Sequence, residues 1–223
     1  MATTVQLKNH IAASLDRAPI IAVVRTKSLE EAARQARLFA SAGIELVEVT
    51  FTVPGASGLV RELLAERHGG DPRRPGPPYF GMGTVTTADR AREAVTAGAE
   101  FLVTPNVSSD VARVARGAGL FLVMGALTAT EVVAAHELKA DIVKIYPLPP
   151  VGGPAYLSVL RQPLGDIPML ASGGYGIEEI PAYGQAGASA FGIGGPLLGP
   201  DEAETRQRIA RALDLARSGR TRP

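Results

Sequence analysis

The chain has 223 residues, 46% of them apolar and 20% charged, a composition that excludes a disordered or fibrous protein and suits one folded domain over residues 1–223. A net charge of +1 gives no electrostatic footprint for nucleic acid or an anionic membrane, so any anionic ligand must be held by local groups. The absence of cysteine excludes a disulfide framework, a thiol nucleophile and a cysteine-ligated metal, and fits a reducing compartment.

The first stretch, MATTVQLKNHIAASLDRAP, contains no long apolar run, so neither a leader nor a membrane span is expected and the cytoplasm is the default location. A helix is predicted over Gln6–Arg17, then a strand over Ile20–Arg25. Ser28 stands three residues before Glu31, the spacing of a capping box, and opens a helix that stops at Gly43. The alternation continues with a strand over Leu46–Phe51, a helix over Ala56–His68, a strand over Tyr79–Val85 and a helix over Thr87–Gly98. Strands over Phe101–Asn106 and Leu120–Ala126 alternate with helices over Ser108–Gly119 and Thr128–Lys139. The sixth strand falls within Ala140–Pro149 and is followed by a helix over Pro154–Gln162. A strand over Ile167–Ser172, a helix over Ile177–Gly187, a strand over Ala190–Gly194 and a last helix over Asp201–Ser218 complete the chain.

About eight βα units with short connections predict an α/β fold, a (β/α)8 TIM barrel with an extra N-terminal helix. Gly43, Gly98, Gly119 and Gly187 follow helices, where a left-handed residue ends the helix at low cost. The one long irregular segment, Gly69–Pro78, joins a helix to a strand and so belongs on the barrel's N-terminal face, away from the active-site face, with its arginines in water. His10, His68 and His136 are widely separated and form no ligand-spaced pair, so no metal site is predicted.

One lysine interrupts the apolar, β-branched run ADIVKIYPLP: Lys144. An ammonium group in a strand core costs on the order of several kcal/mol unless it is paired or neutralised. Alternation places Glu48 inward on the second strand, opposite in parity to Val47, Val49 and Phe51, and places Lys144 inward on the sixth. The two can face each other across the barrel. Two readings stay open on the residues alone: a buried ion pair, or a lysine that attacks a carbonyl, favoured by apolar surroundings and a neighbouring cation such as Arg25. Further polar groups stand near strand ends: Thr52, Thr84, Thr104 and Asn106. Glycine gathers after the seventh and eighth strands, as SGGYG at Ser172–Gly176 and GIGG at Gly192–Gly195. Backbone N–H groups there can be aimed at a phosphate, at the usual anion position of this barrel.

The ordered set IIAVVR, EVTFTVP, GMGTV, LVTPN, VKIYP, ASGG and GIGG resembles the class I 2-keto-3-deoxy-6-phosphogluconate (KDPG) and 4-hydroxy-2-oxoglutarate (KHG) aldolases over nearly the whole chain. The resemblance implies a carbon–carbon lyase that needs no cofactor, a keto acid substrate, pyruvate as product, and a homotrimer in sugar-acid catabolism of the Entner–Doudoroff type. It implies Lys144 as the Schiff-base nucleophile and Glu48 as the general acid/base. It also implies that Thr84, Thr104 and Pro105 line the pyruvate pocket, with Arg25 and Thr52 nearby for carboxylate or hydroxyl contacts. Ser172, Gly173, Gly174, Gly194 and Gly195 would surround the phosphate. Some members carry arginine where Thr52 stands, many have Pro-Gly at Met124–Gly125, and many have serine at Gly195. The TPN strand end is also similar to members acting on the galactonate epimer. Within the same implied chemistry, the alternative substrate is unphosphorylated 4-hydroxy-2-oxoglutarate in place of the sugar-acid phosphate, with oxaloacetate decarboxylation as a side activity. From other classes, a noncatalytic sugar-phosphate-binding barrel, or an isomerase with Glu48 as base, uses the same architecture.

Overall fold

All eight predicted strands pair in chain order, each parallel to the next, and the last returns to the first to close a barrel. The computed structural model describes residues 4–67, 76–165 and 167–219. His68 and most of the predicted Gly69–Pro78 loop, including its arginines, lie outside the described residues. The strands are β1 (Ile20–Val24), β2 (Leu46–Thr50), β3 (Tyr79–Gly83), β4 (Phe101–Val103), β5 (Phe121–Ala126), β6 (Ile142–Ile145), β7 (Met169–Ser172) and β8 (Ala190–Ile193). The helices are α1 (Thr4–Arg17), α2 (Leu29–Ser41), α3 (Ala56–Glu66), α4 (Ala88–Thr96) and α5 (Ser109–Ala118). They continue as α6 (Ala129–Glu137), α7 (Gly153–Arg161), α8 (Ile180–Gln185) and α9 (Glu202–Ser218).

Strand alternation sorts the apolar residues into two cores. Val47, Val49, Val143 and Ile145 point outward and pack under the helices, joining Ala32, Phe39 and Leu63. Leu46, Phe101, Phe121, Ile142 and Leu170 point inward and fill the lower half of the barrel. Helix α1 closes that end: Ile11 and Leu15 join the inner core, while Lys8 pairs with Asp141 at 2.8 Å and Arg17 with Glu45 at 2.7 Å. These pairs are partly exposed, so the buried leucine and isoleucine, at about 1.5–3 kcal/mol each, carry most of the docking energy.

Several helix ends follow the expected chemistry. Gly43, Gly98, Gly119 and Gly187 all have positive φ, and Lys139 takes the same left-handed position after α6 at φ 66°. The predicted capping box on α2 forms only in half. The Ser28 hydroxyl accepts from the Glu31 N–H at 3.3 Å, but the Glu31 carboxylate accepts from Gln35 Nε2 at 3.0 Å instead of turning back to Ser28. Gln35 is 4% exposed and needs that acceptor, which draws the carboxylate along the helix.

The strands also end earlier than their sequence pattern extends: β1 at Val24, β2 at Thr50, β3 at Gly83 and β4 at Val103. Arg25, Thr52, Thr84 and Thr104 therefore belong to the loops at the barrel mouth and not to the ladders. At Thr84 the reason is direct, since its φ of 58° is incompatible with a strand.

Candidate active site

Above the apolar floor the inward positions change character. Glu48 pairs in register with Val23 and Gly81, and Lys144 with Gly125 and Leu170, on strands half a barrel apart. Glycine makes the room. A β-carbon on Gly83 would overlap the Glu48 carboxylate, and one on Gly81 would lie 2.5 Å from the Phe101 ring. One on Gly125 would run into the Pro105 carbonyl group. The sequence thus places no side chain where the two charged groups need space.

Glu48 is 2% exposed and Lys144 is 7% exposed. Burial pushes the Glu48 carboxyl above the ordinary carboxylate range, while the charges of Lys144 and then Arg25 pull it down. Lys144 and Glu48 feel each other electrostatically without forming a contact ion pair. The Lys144 ammonium instead lies 5.2 Å from the centre of the Tyr146 ring, within range of a cation–π interaction.

A cleft of about 750 Å³ opens above Lys144 at the C-terminal ends of the strands. Lys144 and Tyr146 line it, Ser172, Gly173, Gly174, Gly192, Gly194 and Gly195 form one side, and Arg25, Thr26, Lys27 and Thr52 contribute from the β1 and β2 loops. Ser172 is 5% exposed and donates to the Gly192 carbonyl at 3.2 Å, tying the two glycine loops together. Gly173 passes so close to Leu148 N, 2.8 Å from a would-be β-carbon, that a side chain has no space there. Gly194 similarly faces the Val23 carbonyl oxygen at 2.7 Å. Around Gly174 and Gly195 the space is open, with nothing within 4 Å.

The remaining predicted site residues stand outside the cleft wall. Glu48 lies behind it. Thr84 is half-buried; Arg25 reaches its hydroxyl at 3.5 Å, the outer limit of a hydrogen bond, and Arg90 donates to its carbonyl at 3.1 Å. Arg90 also lies 5.4 Å over the Phe51 ring and so supports the strained left-handed backbone. Thr104 is fully buried: its hydroxyl donates to the Asn106 carbonyl at 2.7 Å and accepts from the Gly125 N–H at 3.0 Å. Its role is to hold the end of β4 against β5, and Pro105 packs over Gly125 beside Lys144.

Sequence reading missed Thr26, Lys27, Glu31, Gln35 and Tyr146 as cleft residues. For Lys27 a signal existed: barrel closure sets β8 beside β1, so a basic residue after β1 faces the glycine loops after β7 and β8. Among the described residues, no three His, Asp or Glu side chains gather closely enough to hold a metal ion, and no helix is long and apolar enough to cross a membrane.

The sequence model of the KDPG and KHG aldolases matches residues 11–212. The chain is 31% identical over 173 residues to a 2-dehydro-3-deoxy-phosphogluconate aldolase of Treponema pallidum, covering 76% of this chain and 77% of that protein. It is 30% identical over 195 residues to a 2-dehydro-3-deoxy-6-phosphogalactonate aldolase of Escherichia coli, covering 86% of this chain and 91% of the other. The crystal structure of a 4-hydroxy-2-oxoglutarate/2-dehydro-3-deoxyphosphogluconate aldolase from TTHB1 superposes with a TM-score of 0.78 at 27% identity, over 92% of this chain and 97% of that one.

Proposed function

The chain belongs to the KDPG and KHG aldolase family, and on that premise we propose a Schiff-base cleavage of 2-keto-3-deoxy-6-phosphogluconate to pyruvate and glyceraldehyde 3-phosphate. It is an aldolase, a carbon–carbon lyase. The observation that carries the mechanism is the placement of Lys144 and Glu48. Both are buried on the inner face, on opposite strands, between an apolar floor and the glycine-rich mouth.

The Lys144 amine adds to the C2 ketone, and water leaves as the protonated imine forms. Glu48 takes the C4 hydroxyl proton, directly or through water, and the C3–C4 bond breaks. The bonding pair moves into the iminium, leaving an enamine on Lys144 and a free aldehyde. Protonation at C3 and hydrolysis then release pyruvate and return the amine. A carboxyl held above its ordinary range suits Glu48 to pass the proton both ways. Gly173, Gly174, Gly194 and Gly195 present backbone to the phosphate, beside Ser172, with Lys27 adding charge from the neighbouring loop. Arg25 serves the carboxylate end of the pocket, and Thr84 and Pro105 support its wall.

A second substrate reading is favoured by one observation: the E. coli relative named for the galactonate epimer is nearly as similar as the relative named for the gluconate. The active form is taken as a homotrimer of single-barrel chains, on the family resemblance alone, and the cytoplasm as its location.

Borohydride reduction in the presence of pyruvate tests the nucleophile. The native protein should gain a pyruvate-derived mass on Lys144. No adduct, or an equal adduct on Lys144→Ala, sinks the mechanism. Comparing turnover of the two epimers with that of unphosphorylated 4-hydroxy-2-oxoglutarate then ranks the substrates.

A further inference from the structure

We infer that Thr52 offers the substrate a hydrogen-bond acceptor and selects for a hydroxyl on its aldehyde-derived half, not for its carboxylate. The inference rests on the aldolase chemistry proposed for Lys144 and Glu48, and it comes from following two protons. Thr50 is fully buried, and its hydroxyl donates to the Val24 carbonyl at 3.1 Å. A hydroxyl has a single proton to give. In the 2.7 Å contact between the Thr50 and Thr52 oxygens, the proton therefore belongs to Thr52. Thr52 is exposed on the cleft that Lys144 lines, and what it turns toward that cleft is lone pairs.

A carboxylate oxygen is itself only an acceptor, so it gains nothing from Thr52. Turning the Thr52 proton into the cleft would break the bond to Thr50 and set two oxygens 2.7 Å apart with no proton between them. A ligand O–H fits without rearrangement and extends the chain of donors: ligand to Thr52, Thr52 to Thr50, Thr50 to the Val24 carbonyl. Position along the strand selects which hydroxyl. Glu48 lies two residues before the end of β2, and Thr52 sits in the turn that follows, its hydroxyl 2.7 Å from that of Thr50, the last residue of the strand and the next inward position toward the mouth. The C4 oxygen faces Glu48, which takes its proton, so the next hydroxyl outward, on C5, is the one that meets Thr52.

The test uses the condensation direction with pyruvate and two acceptors, glyceraldehyde 3-phosphate and 3-oxopropyl phosphate, which lacks the α-hydroxyl. Thr52→Val should lower kcat/KM for glyceraldehyde 3-phosphate about tenfold, the size of one lost hydrogen bond, and leave 3-oxopropyl phosphate unchanged. Thr52→Ser, which keeps the hydroxyl, should restore the preference. Equal losses for both acceptors, or no loss for either, overturn the assignment. So does a raised half-saturation for pyruvate in borohydride trapping of Thr52→Val, because that outcome makes Thr52 a carboxylate donor. If the native protein itself fails to trap pyruvate, the Schiff-base reading falls, and the two failures are told apart.

Discussion

The carboxylate of Glu48 occupies the volume that a side chain on Gly83 would fill. The two residues lie on adjacent strands, β2 and β3, and both face the barrel interior. Gly83→Ala is therefore expected to displace the carboxylate without touching Lys144. Turnover should fall at least about tenfold, with a stability loss of about 1–3 kcal/mol from overpacking. Pyruvate trapping on Lys144 should persist. Loss of trapping in step with turnover would place the damage at Lys144 and not at Glu48.

Glu48→Gln should slow turnover by about two to four orders of magnitude while preserving the fold, and an unchanged rate would remove Glu48 from proton transfer.

Glu48 also sets a pH signature in stability. Its folded carboxyl is raised by burial. From the ordinary glutamate pKa of about 4.3 up to the raised value, the folded protein keeps a proton that the unfolded chain has lost. Stability contributed by this group is thus fully present below that window and declines as pH rises through it. Glu48→Gln lacks this decline, so its stability relative to wild type should increase with pH, as read from urea midpoints measured upward from about pH 4. Parallel curves for the two proteins would show that Glu48 ionises as it does in the unfolded chain.

Gly195 has no neighbour within 4 Å of a would-be β-carbon and no positive φ, so serine fits there. Gly195→Ser is expected to add a hydroxyl to the glycine-lined wall and strengthen the apparent affinity for a phosphorylated substrate about three- to tenfold, one net hydrogen bond's worth. Half-saturation by the unphosphorylated keto acid, 4-hydroxy-2-oxoglutarate, should stay as it was. An equal effect on both substrates would argue that the phosphate lies elsewhere.

At the opposite end of the barrel, Glu100 accepts two hydrogen bonds from Arg67, at 2.7 and 2.9 Å, and one from the Phe80 N–H at 3.0 Å. Arg67→Met should cost about 1.5–3 kcal/mol, because it removes charge-assisted hydrogen bonds to a largely buried carboxylate. Denaturant midpoints should drop while kcat holds, since this pair is remote from the strand ends that carry the chemistry. A matching fall in kcat would couple the two faces.

Much of this architecture was legible in the sequence because its signals are local. The period-2 pattern of Leu46–Thr50 and Ile142–Ile145 separates inward from outward residues without knowledge of any partner, which puts Glu48 and Lys144 inside a barrel once eight βα units are counted. The glycine clusters after β7 and β8 were equally visible. What tertiary structure alone decided is which polar group each polar group meets. The Thr104 hydroxyl donates to the Asn106 carbonyl and accepts from the Gly125 N–H, partners that strand pattern does not name. Glu31 fitted a capping box, but Gln35 claims its carboxylate. Thr52 becomes an acceptor only because Thr50 spends its proton on Val24. Strand pattern follows from a residue's nearest neighbours in the chain, whereas hydrogen bonds and charge coupling act over a few ångströms between segments that folding alone brings together.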